Sequence, residues 1–272
     1  MTVLLLRLAG PLQAWGSAAR FARRTTENAP TKSGVLGLLA AAEGRPRGAD
    51  LADLAALRFG VRIDQPGSRL RDFHTAHHGD SGKAMPLSER FYLADAVFVA
   101  GVEGDAVLLN RLYEAVRAPH FLPYLGRRSC PPSRPLDMGR PFSGPGLKDA
   151  LRAAPWQAAT WYRKRIGQAA QAYGQAGYGG PDPNGPPPSV AVDLLLDCPP
   201  GELPHLSLRD TPVSFDPRHR QYGLRGVVTS LTEPRRHSPD GAPAPEHDPT
   251  VLLRSLDPTA STRTAEHRPR NR

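Results

Sequence analysis

VLLLRLAGPLQAWG at positions 3–16 and PTKSGVLGLLAAAEG at positions 30–44 decide the fold. Residues 3–8 are apolar except for Arg7, the pattern of a central strand buried on both faces. Gly10-Pro11 stops that strand. Thr31 and Ser33 both offer a helix cap, after which Val35, Leu36, Leu38, Leu39 and Ala42 follow a helical spacing up to Gly44. Gly34 and Gly37 lie inside this helix, where each costs about 1 kcal/mol relative to alanine. Close packing on the sheet or on a ligand must offset that cost. The loop between the two elements carries Arg20, Arg23 and Arg24, with Lys32 and Ser33 at the helix start. A helix N-terminus adds free N–H groups and partial positive charge, so a phosphate chain would fit there. An ordinary strand–loop–helix with solvated arginines fits the local pattern equally well.

Working outward, residues 50–57 read as a short helix with Asp50 as its cap, and FGVRID at 59–64 alternates as a strand. A strand–helix–strand opening suits an α+β domain of the ferredoxin-like, RNA-recognition type. Residues 69–90 are polar and poorly periodic, and hold Arg71, His74, His77, His78, Lys83 and Arg90. Connectors of this length are functional or disordered. YLADAVFVAGV at 92–102 reads as one strand, and residues 105–117 as a helix with Val107, Leu108, Leu112, Ala115 and Val116 on one face. Pro119 ends it, and FLPYLG at 121–126 is the candidate for the last strand of a βαββαβ unit.

In residues 123–140, Gly126 permits a tight turn before Arg127, Arg128 and Ser129. Adjacent guanidinium groups can fork onto phosphate oxygens, with the serine hydroxyl as a further donor. A solvated arginine pair is the plainer reading of these residues alone. Residues 147–172 have helical character, with Trp156, Trp161 and Tyr162 beside Arg163, Lys164 and Arg165. Such a mixture stacks on bases or packs in a core or interface, the latter being the commoner use. GYGGPDPNGPPP at 177–188 is linker-like, 189–196 reads as a strand, and order resumes over 213–228 with Arg218 and Arg220. Residues 233–272 are rich in Pro, Ser, Thr and mixed charge and read as a disordered tail.

The formal net charge is +9 over 272 residues. The excess is clustered: residues 1–33 hold five cations and one acid, and residues 117–140 again five and one. Basic segments flanked by Gly and Pro point to a polyanionic partner. Two cysteines give neither a metal framework nor a disulfide framework. The first strand is too short for a signal peptide, and no apolar run reaches spanning length. The expectation is a cytoplasmic protein with no membrane contact and no cofactor.

The two opening stretches, together with RDFHTAHH at 71–78, PYLGRRSCPPSRPL at 123–136 and DTPVSFDPRHRQYGLRGV at 210–227, resemble the CasD family. That is the fifth-family Cas subunit of type I-E Cascade, within the RAMP superfamily. The resemblance spans about residues 1–228, and its specificity lies in the blocks occurring together and in order. It implies a RAMP ferredoxin-like domain over residues 1–178, with a thumb-like insertion near 69–91 and additional C-terminal β elements over 189–230. It also implies a non-catalytic subunit that binds and caps the 5′ handle of crRNA. The implied partners are a CasC-type backbone subunit, a CasA-type large subunit, the other Cascade subunits and, indirectly, target DNA. The RNA-binding candidates are then Arg20, Arg23, Arg24, Lys32, Ser33, Arg71, His74, Arg90, Arg127, Arg128, Ser129, Arg218 and Arg220.

The histidines invite two sharper readings. A metal site would use His74, His77 and His78 with Asp72 or Asp80, but no second ligand cluster accompanies them, and no metal is expected. A metal-independent endoribonuclease processing precursor CRISPR RNA would use His74 as its base, since histidine titrates near neutrality. This remains the alternative, because some RAMP proteins cleave RNA.

Overall fold

The computed structural model describes residues 1–17, 23–144, 146–175, 190–216 and 218–234. In chain order the elements are β1 (Thr2–Ala9), β2 (Leu12–Gln13), β3 (Arg23–Arg24), α1 (Lys32–Ala42), α2 (Ala52–Ala55), β4 (Arg58–Gln65), β5 (Ser68–His74) and β6 (Ser88–Ala94). There follow β7 (Val97–Gly104), α3 (Ala106–Arg117), β8 (Phe142–Ser143), α4 (Leu147–Ala153), α5 (Thr160–Gln175), β9 (Val192–Asp197), β10 (Leu206–Ser214) and β11 (Gln221–Thr232). Arg20, the linker-like 177–188 stretch and the 233–272 tail beyond Pro234 lie outside the described residues.

The main sheet runs β10-β11-β9-β4-β7-β1-β8, antiparallel throughout. Within it, β4-β7-β1-β8 with the crossover helices α1 and α3 is the βαββαβ arrangement of a ferredoxin-like fold. β9, β11 and β10 extend the sheet past β4. This is the α+β, RAMP-type architecture expected, with the additional C-terminal β elements forming one side of the same sheet.

Period-two alternation gives β1 two different neighbours. Leu4, Leu6 and Leu8 pack with α1 and α3, while Val3 and Leu5 pack with Val99 and with Leu147 and Leu151 of α4. Thr31 caps α1, its hydroxyl accepting from Gly34 N–H, and Asp105 caps α3 by accepting from Leu108 N–H. Gly34 is explained by packing: a Cβ there would lie 2.8 Å from the ring of Trp15, which is fully buried. On the far face, Arg62 is fully buried, pairs with Asp64, and donates to the carbonyls of Leu151, Ala154 and Pro155. Burial pushes the Asp64 carboxyl up, against the pull of Arg62.

Three sequence expectations are corrected. Residues 69–90 are not an irregular connector: β5 and β6 form a hairpin, in register from Ser68–Ala94 to His74–Ser88. Every residue of β5 is exposed, so it carries no buried stripe for a periodicity reading to detect. Residues 92–102 are not one strand. The chain turns at Asp95, whose φ is +56°, and passes from the small sheet of β2, β3, β5 and β6 into the main sheet. The last strand of the βαββαβ unit is β8, not residues 121–126; there Pro123 lacks an N–H and Gly126 turns at φ +84°.

Candidate nucleic-acid interface

A cleft of about 470 Å³ opens beside the start of α1. Arg24, Arg127, Arg209 and Arg220 line it, together with Trp15, Ser17, Ser33, Gly34, Gly126 and Tyr222. Among the described residues, no carboxylate and no histidine lines it. The four arginines come from four places in the chain: β3, the turn after Gly126, β10, and the approach to β11. A guanidinium keeps its charge under any ordinary condition and presents donors in a fork that matches phosphate oxygens.

The second wall is built by Gly126. Besides its positive φ, a Cβ there would fall 1.7 Å from the Ala14 carbonyl oxygen, so only glycine lets this turn lie against the segment after β1. Ala14 N–H donates to the Leu125 carbonyl (3.1 Å), which fixes that approach. Arg127 then reaches across. Its guanidinium donates to the carbonyls of Phe91 (3.1 Å) and Arg24 (2.8 Å) and sits 4.6 Å from the Tyr92 ring centroid. It both walls the cleft and joins the turn to β3 and β6. Arg128 and Ser129 are exposed just beyond it.

The start of α1 differs from the sequence expectation. Lys32 is buried, with its ammonium 3.0 Å from Asp197, and its backbone N–H donates to Asp210 (2.8 Å). Arg225 completes the network, donating to both Asp210 oxygens and to Asp197, each at 2.8 Å. Burial works against the Arg225 charge, but Asp210 and Asp197 hold its pKa above the ordinary value. Lys32 is therefore corrected from an RNA contact to an internal tie. Two cations and two carboxylates neutralise one another and fasten α1 to β9, β10 and β11. Ser33, one residue on, does line the cleft.

The remaining candidates divide. Arg23 is exposed, 5.4 Å from the Phe91 ring centroid and 4.0 Å from Glu89. Arg71 pairs with Glu89 at 2.5 Å and lies over Phe73. Arg90 is half-buried, and its Nε is buried without a partner among the described residues. These three and His74 belong to the hairpin sheet, outside the cleft lining. His74 is exposed, at the end of β5. Arg218 is exposed, in the turn before β11. Arg209, Trp15 and Tyr222 were missed by the sequence reading. Arg209 sits in an alternating edge strand, where only the neighbouring Asp210, facing inward to Arg225, hinted that the strand bordered a site.

Among the described residues no helix is long and apolar enough to cross a membrane. Residues 3–228 match the family model described as CRISPR-associated protein (Cas_Cas5). Over 157 residues the chain is 38% identical to the CRISPR system Cascade subunit CasD of Escherichia coli (strain K12), covering 50% of this chain and 70% of that one. A solved structure described as a CRISPR RNA-guided surveillance complex contains a chain 31% identical to this one, with a TM-score of 0.67, covering 88% of this chain and 95% of that one. A crystal structure of a Cas protein gives 34% identity and a TM-score of 0.61, covering 85% and 95%. The span matched by the family model contains the residues that line the cleft and those that tie α1 to the C-terminal strands, and the chain belongs to the CasD/Cas5 family of CRISPR-associated proteins.

Proposed function

We propose that this chain is a non-catalytic RNA-binding subunit of a type I-E Cascade surveillance complex, and that the cleft holds the backbone of the crRNA 5′ handle. The observation that carries the reading is the convergence of Arg24, Arg127, Arg209 and Arg220 on one cleft that no carboxylate lines among the described residues. Forked cations with Ser17, Ser33 and a glycine turn beside them suit a phosphate chain. Tyr222, which is half-buried, gives the cleft aromatic surface for a base. Lys32 leaves the list of contacts; Arg23, Arg128, Ser129 and Arg218 surround the cleft as outer contacts. The exposed β5–β6 hairpin, with Arg71, His74 and Arg90, is the thumb toward a CasC-type backbone subunit. The CasA-type large subunit, the other Cascade subunits and target DNA are reached through the assembled complex in the cytoplasm.

The endoribonuclease alternative lacks a comparable feature, since the cleft lining offers no imidazole and His74 stands apart from it. The test replaces Arg209 and Arg220 together by alanine and titrates handle RNA against the full chain at several salt concentrations. Affinity falls, and the salt dependence flattens by about 0.7 in log–log slope for each lost phosphate contact. Unchanged affinity and slope would mean that the cleft is a solvated surface.

A further inference from the structure

α5 begins where β4 ends, and the join is rigid. Trp156 Nε1 donates to the Asp64 carbonyl (3.1 Å), Gln157 N–H to the Asp64 carboxylate (2.6 Å) and Ala159 N–H to Gln65 (3.0 Å). The first turns then carry Trp161, 51% exposed, edge-on to Tyr162, with the Arg165 guanidinium 5.2 Å and 5.3 Å from the two ring centroids. Lys164 and Arg165 are exposed. Arg163 lies 5.8 Å from the Trp156 centroid and donates to the Ala158 carbonyl (2.7 Å). Arg7, on the α4 side of β1, donates to the carbonyl of Pro135 and to Gln157.

Among the described residues, none of Arg7, Arg134, Arg163, Lys164 and Arg165 makes an ion pair within 4 Å. The nearby acids are Asp64, held by Arg62, and Asp137, which attracts Arg7 from a distance. Arg7 and Arg163 are both held below the ordinary arginine range, first by burial and then by repulsion from Arg134. The fold has thus gathered Arg7, Arg134 and Arg163 at the start of α5 without neutralising them, with Arg165 against the exposed Trp161 one turn on, and such a surface suits an external anion with flat faces.

The loop that carries Arg127 in the cleft wall also carries Arg134 to this cluster. Seven residues extend at most about 25 Å, so the two basic surfaces are within reach of one strand. We propose that the start of α5, through Trp161, Lys164 and Arg165 with Arg7, Arg134 and Arg163 behind them, is a second contact for the RNA strand held in the cleft. A base stacks on Trp161 and the adjoining phosphates meet the cations. This inference rests on the cleft holding RNA.

Trp161 supplies its own signal, because Trp15 is fully buried and Trp156 is 5% exposed. The full chain is titrated with single-stranded RNA of about 4 and about 16 nucleotides, the range of small single-strand sites, while tryptophan fluorescence is followed. The long RNA quenches the emission and the short RNA binds without quenching. Trp161→Ala weakens the long RNA about tenfold and leaves the short RNA unaffected. Trp161→Phe keeps the affinity and loses the signal. Lys164→Gln with Arg165→Gln lowers the salt slope for the long RNA alone. If the long RNA leaves Trp161 silent and these variants bind normally, the second contact is wrong. In that case an Arg209→Ala, Arg220→Ala variant that still loses RNA shows the cleft reading standing alone, and one that binds normally removes both. Quenching on assembly with the other subunits but not by RNA would make the surface a protein interface and overturn the proposal.

Discussion

Replacing Asp210 by alanine removes a carboxylate that three donors share. Asp210 is fully buried and accepts from Lys32 N–H, Arg225 Nε and Arg225 Nη2. Arg225, only 8% exposed, would keep Asp197 as its sole carboxylate, and Asp197 also serves Lys32 and Phe59 N–H. The variant leaves an excess buried cation and the Lys32 N–H without its acceptor. Breaking one partner out of a buried ion network costs about 3–5 kcal/mol. Against the roughly 5–15 kcal/mol that holds a domain together, that is a large fraction. Urea unfolding of the full chain should show the midpoint fall by more than about 1 M, for a denaturant slope near the upper part of the usual 1–3 kcal/mol/M. The second arm replaces Asp210 by leucine and Arg225 by methionine together. Lys32 and Asp197 then remain as a matched pair, and most of the loss should be recovered, because removing both members of a buried pair is far milder than removing one. A loss below about 1 kcal/mol for Asp210→Ala, or a double variant no better than the single, would refute the view that these four residues act as one closed network.

Gly126→Ala meets both a positive φ and the Ala14 carbonyl, so the turn must move. RNA affinity and thermal stability should fall together in a binding titration and a melting scan, and an unchanged pair would refute the reading. With a thiol reagent at mildly alkaline pH, Cys198, which is partly exposed, should react first. Burial pushes the Cys130 thiol up more than Ser129 and Arg127 pull it down, so it reacts only when the protein unfolds; two equally fast thiols would contradict this. Repeat RNA incubated with the protein, with or without divalent metal, should stay whole on a gel. Cleavage that disappears in His74→Ala would establish the endoribonuclease alternative instead.

The opening strand and α1 were legible because both are buried and their apolar residues recur at the period of the element that holds them. Thr31, Gly34 and Gly44 gave their positions away for local reasons, as cap, close approach and positive φ. The hairpin was not legible, because nothing buries β5 and its order comes from pairing with β6. The turn at Asp95 was hidden for another reason. Both flanking strands are apolar, and sequence periodicity does not record which sheet a strand joins. Within the site, Arg24, Arg127 and Arg220 were visible as basic residues on glycine-flanked loops. Lys32 was misjudged because its partners, Asp197, Asp210 and Arg225, lie 165 or more residues away in the chain. Arg209 was missed because the cleft comes into being only when β10 folds back beside α1.

The two carbonyl bonds of Arg127 have a mechanical consequence. Phe91 lies in the strand that carries the hairpin, Arg24 in the strand beside it, and Arg127 stands in the cleft. A body docking on the hairpin and tilting β6 drags this side chain with it, and an anion that captures the guanidinium pulls the other way. The two events then share one free energy. Whatever factor docking applies to anion affinity, the anion must return to docking. A subunit wired in this manner would tell its neighbours that its guide is in place.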